Sequence, residues 1–258
     1  MAESKKENEA AMSFLEHLAE LRIRLIRSFI ALVVCVLATY GYRKEILDIF
    51  RQPIEAPLKK YAPEASMVFL SVPEVFFAQL KIALFSGIFL SFPYLIIEIW
   101  GFVSPALFKE EKRIFWPFAI FTYLFFTGGA LFGYFIVFPF GFDFFLSLTQ
   151  PNEIMPSLSI GSYLIFTLKL LLAFGFVFEL PLIAFVLARM GILTPEWLIK
   201  NAKYALLSSF IVAAILTPPD PFTMFLMAGP LILLYGLSII VSFVAVNRKK
   251  AAQRAQGL

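Results

Sequence analysis

The sequence predicts an all-α polytopic membrane protein with six transmembrane helices, the fifth of them short. Of its 258 residues, 60% are hydrophobic and only 16% are charged. The apolar residues fall into six stretches, most of them close to the roughly 20 residues that a helix needs to cross a hydrocarbon core of about 30 Å. This composition is typical of integral membrane proteins and excludes a disordered chain.

We expect residues 1–258 to form a single integral membrane domain. An amphipathic helix over residues 13–24 precedes the first span, and a cytoplasmic tail over residues 247–258 follows the last. The fifth span is only about 20 Å long at 1.5 Å per residue, because Pro218, Pro219 and Pro221 end its helix. The predicted spans cover about residues 25–42, 75–100, 114–138, 163–188, 204–216 and 222–246.

Lysine and arginine residues are distributed unequally between the two sides of these spans. Fifteen lie in the N-terminal segment, in the loops after the second and fourth spans, and in the tail, against five in the remaining loops. Because cytoplasmic loops carry the positive excess, we expect both termini in the cytoplasm. The first external loop, about residues 43–74, has four prolines among apolar residues and is predicted to be an ordered cap of short helices.

Residues that enzymes commonly use are scarce. One histidine and one cysteine leave no disulfide framework and little scope for a metal site or a nucleophile–histidine pair. The sequence has no phosphate-binding loop, dinucleotide fingerprint or nucleophile elbow. We therefore predict no enzyme, no catalytic residue, no metal and no cofactor. The net charge of +4 is spread over short loops and does not favour nucleic acid.

Glu179 lies in the middle of the fourth predicted span, about 15 Å of helix from both Lys169 and Arg189. An acid at this depth costs roughly 3 kcal/mol on insertion scales, so it is a candidate functional site. One interpretation is a neutral acid hydrogen-bonded to another helix, and another is a group that opens a polar site. A proton-coupled small-solute transporter with Glu179 as the proton carrier is an alternative function. An intramembrane hydrolase is disfavoured because its nucleophile and base are missing.

The helix before the first span begins at a capping-box pattern formed by Ser13 and Glu16. Glu20 lies four residues before Arg24, which predicts an intrahelical pair worth a few tenths of a kcal/mol. The alternative is that Glu20 contributes to an acidic patch for a cationic partner. Glu98, near the end of the second span, is expected to extend toward the lipid headgroups.

The loop after the second span places aromatic residues before two adjacent acids. Trp100, Phe102 and Phe108 are followed by Glu110 and Glu111. Carboxylates accept bidentate hydrogen bonds from guanidinium groups, and aromatic ring faces attract cations. This arrangement can clamp a basic peptide, while the alternative interpretation is an interfacial aromatic belt with solvated charges.

Several segments together resemble the TatC family, the multi-spanning subunit of the twin-arginine protein translocase. Each segment is a weak signal alone, but the set runs in order across nearly the whole chain and is highly specific. The segments are residues 17–22, 57–58, 100–107, 111–113, 134, 138–139, 174–181 and 216–220.

The resemblance implies a receptor for signal peptides that carry consecutive arginines, on secreted proteins that are already folded. It implies single-span partners of the TatA and TatB kind, an oligomeric complex in the inner membrane, and transport driven by the proton-motive force. It also implies a cupped arrangement of the six helices. None of these properties follows from composition or spacing alone.

The resemblance also assigns roles to residues of this sequence. The signal-binding acids of the family match Glu20 and Glu111, and Glu110 beside Glu111 leaves open which of the two makes the contact. Arg22 and Phe102 belong to the same cytoplasmic patch. The intramembrane acid matches Glu179, and the positions implied in the hairpin and in partner contacts are Asp220, Pro57 and Tyr134.

Overall fold

The chain, in a computed structural model, is described over residues 2–63, 65–107, 115–148, 158–217 and 220–255. Almost all of these residues are helical, which confirms the predicted all-α class. The helices are α1 (Ala2–Gly41), α2 (Arg43–Tyr61), α3 (Val72–Leu107), α4 (Phe115–Phe132), a π-helical turn (Gly133–Val137), α5 (Phe138–Ser147), α6 (Ile160–Phe178), α7 (Leu180–Met190), α8 (Pro195–Lys200), α9 (Ala202–Leu216) and α10 (Pro221–Ala255).

Long apolar helices identify the chain as a polytopic membrane protein, as predicted. Among the described residues, four helical stretches are long and apolar enough to cross a membrane, namely Val72–Phe102, Pro117–Ser147, Ile160–Met190 and Pro221–Asn247. They coincide with the predicted second, third, fourth and sixth spans. The apolar helix α9, with 15 residues, coincides with the short fifth span. The predicted first span lies within α1, where large apolar side chains such as Leu37 (69% exposed) form a surface suited to lipid.

The described residues divide into two compact units, of which the first consists of residues 1–42 and 83–123. In this unit α1 packs closely on α3. The hydroxyl of the buried Thr39 donates to the carbonyl oxygen of Ala83 at 2.7 Å. A Cβ atom at Gly87 would lie only 2.8 Å from the Cα atom of Val36, so a glycine is needed at this crossing.

The second unit consists of residues 43–82 and 124–258, and it begins with the loop predicted as a cap. The loop is ordered as expected, but α2 is one helix of 19 residues rather than several short ones, with Pro53 and Pro57 inside it. Pro53 has no amide hydrogen, so the carbonyl of Ile49 lacks its helical donor. The hydroxyl of Tyr134 donates to that carbonyl at 2.6 Å. The bond supplies the missing donor and lets the helix continue through the proline.

The end of α2 is joined to α5 by polar contacts. The ammonium group of Lys60 lies 3.0 Å from Oδ1 of Asp143, and the hydroxyl of Tyr61 donates to Oδ2 of the same carboxylate at 3.3 Å. Hydrogen bonds with Tyr61 and then with Asp143 raise the pKa of the Lys60 ammonium group. Because these side chains are exposed, the ion pair orients the loop more than it stabilises the fold.

A short parallel strand pair forms the one sheet among the described residues. Strand β1 (Met67–Val68) pairs with β2 (Leu158–Ser159), with Met67 opposite Leu158. The carboxylate of Glu74 lies beside this pair and accepts hydrogen bonds from the hydroxyl of Ser159 at 2.5 Å and from the amide of Gly161 at 3.0 Å. The strand pair and Glu74 thus hold two loops of this unit together.

Two of the long apolar stretches, Pro117–Ser147 and Ile160–Met190, are interrupted within their length. In the π-helical turn the amide of Phe138 donates to the carbonyl of Gly133, five residues earlier, immediately before Pro139. Helix α6 ends at Phe178, and α7 begins at Leu180 with Pro181 in its first turn. Prolines remove a helical donor, which accounts for both interruptions.

Candidate functional site

Arg24 is the centre of a charged cluster in the first unit, formed with Glu20, Tyr94 and Glu98. Its Nη2 and Nε atoms donate to Oε1 of Glu20 at 2.7 and 2.9 Å. Its Nη1 atom donates to Oε2 of Glu98 at 3.1 Å. The intrahelical pair predicted between Glu20 and Arg24 therefore forms, and the same guanidinium group also reaches a second helix.

Glu98 does not extend toward the headgroups, so that expectation was wrong. The residue is only 7% exposed, and the hydroxyl of Tyr94 donates to its Oε1 atom at 2.8 Å. Arg24 supplies the opposite charge, and together the two partners offset the cost of removing a carboxylate from water. The sequence offered only a weak signal for this role, an acid four residues after a tyrosine at the end of an apolar span.

The backbone of α3 is shaped to receive the guanidinium group. A Cβ atom at Gly101 would lie 2.9 Å from Cζ of Arg24, too close for any other residue without a shift of the arginine. The next residue, Phe102, stacks on His17 with 4.3 Å between ring centroids and 13° between ring planes. Nδ1 of His17 lies 4.0 Å from Oε2 of Glu20. Glu20 and Phe102, both predicted site residues, are therefore linked through His17.

Three further residues were predicted for this patch, namely Arg22, Glu110 and Glu111. Arg22 lies on α1 and is exposed. Glu110 and Glu111 lie outside the described residues. The role of Glu110 and Glu111 in the candidate site therefore stays a prediction.

The chemistry of the cluster is suited to arginine recognition. Glu20 keeps 39% of its side chain exposed, and Arg24 engages only its Oε1 atom. Two carboxylates from different helices hold one planar guanidinium group through three hydrogen bonds. Charge-assisted bonds of this kind are among the strongest that side chains form.

Glu179 lies at the junction of α6 and α7 in the second unit. It is 7% exposed, and its Oε1 atom has no hydrogen-bond partner among the described residues. Its own amide donates to the carbonyls of Phe176 and Val177, which compensates in part for the amide that Pro181 lacks. A buried acid with an unsatisfied oxygen is costly, so the position is a candidate for contact with a further polar group.

Asp220 lies before α10 and caps its N-terminus. Its Oδ1 atom accepts from the amide of Thr223 at 2.8 Å, and its Oδ2 atom accepts from the Thr223 hydroxyl. A negative charge at this end of a helix is favourable. The structure thus shows a local role for Asp220, and the predicted partner contact stays a prediction.

Pro57 and Tyr134, the remaining predicted contact residues, both belong to the packing of α2. Pro57 is buried inside the helix. Tyr134 lies in the π-helical turn and bonds to the Ile49 carbonyl, with its hydroxyl also 3.3 Å from Oε1 of Gln52. Over the part of the chain that the structure describes, no group of three or more His, Cys, Asp or Glu residues could hold a metal ion.

These features define a multi-pass helical membrane protein with two carboxylates around Arg24 at the end of one span and a buried acid within another. Residues 16–230 match the model of the family described as Sec-independent protein translocase protein (TatC). The chain therefore belongs to the TatC family.

Individual relatives agree with this assignment. The Sec-independent protein translocase protein TatC of Desulforapulum autotrophicum is 46% identical over 93% of this chain and 88% of its own length. The protein of the same name from Aquifex aeolicus is 40% identical over 95% of this chain and 100% of its own. A crystal structure of the twin-arginine translocase receptor TatC superposes with a TM-score of 0.79 and 40% identity, covering 89% of this chain and 99% of that one.

The comparisons confirm the family and fold class that the sequence predicted. The chain is a component of a protein translocase and a multi-pass membrane protein. This is a transport family, and the alternative of a small-solute transporter is not favoured.

Proposed function

We propose that the protein is the signal-peptide receptor of a twin-arginine translocase in the cytoplasmic membrane, with both termini in the cytoplasm. The observation that carries the proposal is that Glu20 and Glu98 both form salt bridges with the guanidinium group of Arg24. This cluster lies at the ends of helices whose flanking segments are rich in lysine and arginine, which favours a cytoplasmic position.

The ligand of this site is a peptide with two consecutive arginines. Glu20 and Glu111 each accept a guanidinium group, Glu110 adds negative charge beside Glu111, and Phe102 offers a ring face. Arg22, exposed on the same helix as Glu20, completes the patch. A lysine carries the same charge but lacks the planar fork that matches a carboxylate, so arginine is preferred.

Glu179 and the second unit serve partner subunits rather than the peptide. The unsatisfied Oε1 atom of Glu179 provides an acceptor inside an apolar span, where a polar segment of a TatA-type or TatB-type subunit docks. Asp220, Pro57 and Tyr134 are further partner contacts. The complex is oligomeric and moves folded proteins with the proton-motive force.

Crosslinking tests the location of the peptide site. Photo-crosslinkers are placed singly over residues 14–27 and 100–113, with control positions on the exposed surface of α2. A twin-arginine peptide is expected to label the first two segments and not α2, and its twin-lysine counterpart is expected to label them weakly. Labelling confined to α2, or equal labelling by both peptides, would contradict the proposal.

A further inference from the structure

The guanidinium group of Arg24 lies where a peptide arginine would have to bind. Glu20 is the predicted peptide contact, yet its Oε1 atom already accepts two hydrogen bonds from Arg24, at 2.7 and 2.9 Å. A peptide arginine with fork geometry needs both oxygens of a carboxylate. It therefore has to displace Arg24 from Glu20.

The two carboxylates that hold Arg24 differ in exposure. The side chain of Glu20 is 39% exposed, whereas that of Glu98 is almost completely buried and also bonded to Tyr94. Glu20 is thus open to a ligand from solution, while Glu98 is closed to it. If Arg24 leaves Glu20, its charge stays neutralised by Glu98.

The space around the guanidinium group supports this exchange. Gly101 presents no Cβ atom to Arg24, so the guanidinium group lies directly against the α3 backbone. Oε2 of Glu20 faces His17 at 4.0 Å and has no hydrogen bond among the described contacts. One oxygen of Glu20 is therefore available to an incoming donor before Arg24 has moved.

We propose that Arg24 is an internal competitor for the peptide arginine and thereby sets the specificity of the site. In the empty receptor Arg24 bridges Glu20 and Glu98, and in the loaded receptor Glu98 and Tyr94 retain it while the peptide takes Glu20. A strongly hydrated lysine ammonium group forms no fork and loses this competition. The inference rests on the proposed function of Glu20 as a peptide contact.

Equilibrium binding to the purified full-length protein tests the competition. The probes are a synthetic peptide with two consecutive arginines and the same peptide with two lysines. The double variant Arg24→Gln/Glu98→Gln removes the competitor and its buried partner together, so that the buried position 98 holds no charge without a partner and the half-exposed Glu20 is left open to the peptide. It is expected to bind the arginine peptide about threefold to fivefold more tightly than the unchanged protein, and to discriminate less against the lysine peptide.

The single variant Glu98→Gln is expected to act in the opposite direction. Glu20 is then the one carboxylate left for Arg24 in the cluster. Displacing Arg24 from Glu20 is therefore harder, and the arginine peptide binds more weakly. A purely structural role for the cluster would shift both variants toward weaker binding. Arg24→Lys, which keeps the charge and loses the fork, is expected to behave like the double variant with a smaller gain.

Two controls separate this inference from the proposed function. Lys200→Gln removes one positive charge from the exposed surface of α8, outside both peptide segments, and is expected to change affinity by less than about twofold. Adding Glu20→Gln to the double variant is expected to abolish its gain. Equal or weaker binding by the double variant, with Glu20→Gln still harmful alone, would overturn the competition and leave the peptide site intact. No effect of Glu20→Gln alone would overturn the proposed function itself.

Discussion

The hydroxyl group of Tyr134 donates a hydrogen bond to the carbonyl oxygen of Ile49, the acceptor that Pro53 leaves without a helical donor. The two residues are 85 positions apart. A tyrosine in a π-helical turn thus completes the hydrogen bonding of a helix that a proline would otherwise interrupt.

Tyr134→Phe is expected to lower the free energy of unfolding by about 1 kcal/mol, because the Ile49 carbonyl loses its donor. Thermal unfolding of the purified protein in detergent measures the change. In a Pro53→Ala background residue 53 regains its amide, so Tyr134→Phe should cost much less there. An equal cost in both backgrounds would show that the proline is unrelated to the role of Tyr134.

Glu179 provides a prediction in which stability and transport change in opposite directions. Glu179→Leu removes a buried oxygen without a partner and is expected to stabilise the isolated protein by about 1–3 kcal/mol. It is also expected to abolish transport, whereas Glu179→Gln, which can still form hydrogen bonds, largely preserves it. Unfolding midpoints and a transport assay in membrane vesicles measure the two effects. Normal transport by Glu179→Leu would refute a functional role.

Asp220 allows its capping role to be separated from a contact with a partner. Asp220→Ala is expected to destabilise the protein by about 1 kcal/mol, because the amide of Thr223 loses its acceptor. Asp220→Asn keeps an acceptor oxygen and should be nearly as stable as the unchanged protein. If Asp220→Asn is stable but transports poorly, the carboxylate charge contacts a partner. Equal transport by Asp220→Asn and the unchanged protein would confine Asp220 to capping.

Close packing at Gly87 gives a prediction for the first unit. Gly87→Val is expected to destabilise the protein by about 1–3 kcal/mol, because its side chain would overlap Val36 on α1. Gly41→Val is a suitable comparison, since a Cβ atom there meets nothing within 4 Å. Unfolding in detergent should separate the two variants clearly. Similar stabilities would mean that α1 and α3 are free to move apart.

The sequence was sufficient to predict what depends on local pattern. The apolar stretches predicted the helical class and the short fifth span. Glu179, the single acid in the middle of the fourth stretch, was predicted as a candidate functional site. The pairing of Glu20 with Arg24 followed from a separation of four residues on one helix. Each of these signals lies within a single segment, where helical periodicity and hydrophobicity determine the outcome.

Contacts between distant segments could not be predicted in this way. Glu98 was expected at the headgroups because the sequence does not show that Arg24, 74 positions earlier, reaches it. The prolines of α2 suggested several short helices, because the donor that Tyr134 supplies lies in another span. In both cases a tertiary hydrogen bond overrides the local preference of the residue.

Binding of a twin-arginine peptide to the Glu20→Gln variant tests the central claim most directly. Loss of a charge-assisted hydrogen bond is expected to weaken binding by about 1.5–3 kcal/mol, or roughly tenfold to 150-fold. Glu196→Gln, at an exposed acid on α8, is the matched control and should bind like the unchanged protein. We expect this loss of affinity for Glu20→Gln and no loss for Glu196→Gln. Unchanged affinity of Glu20→Gln for the peptide would contradict it.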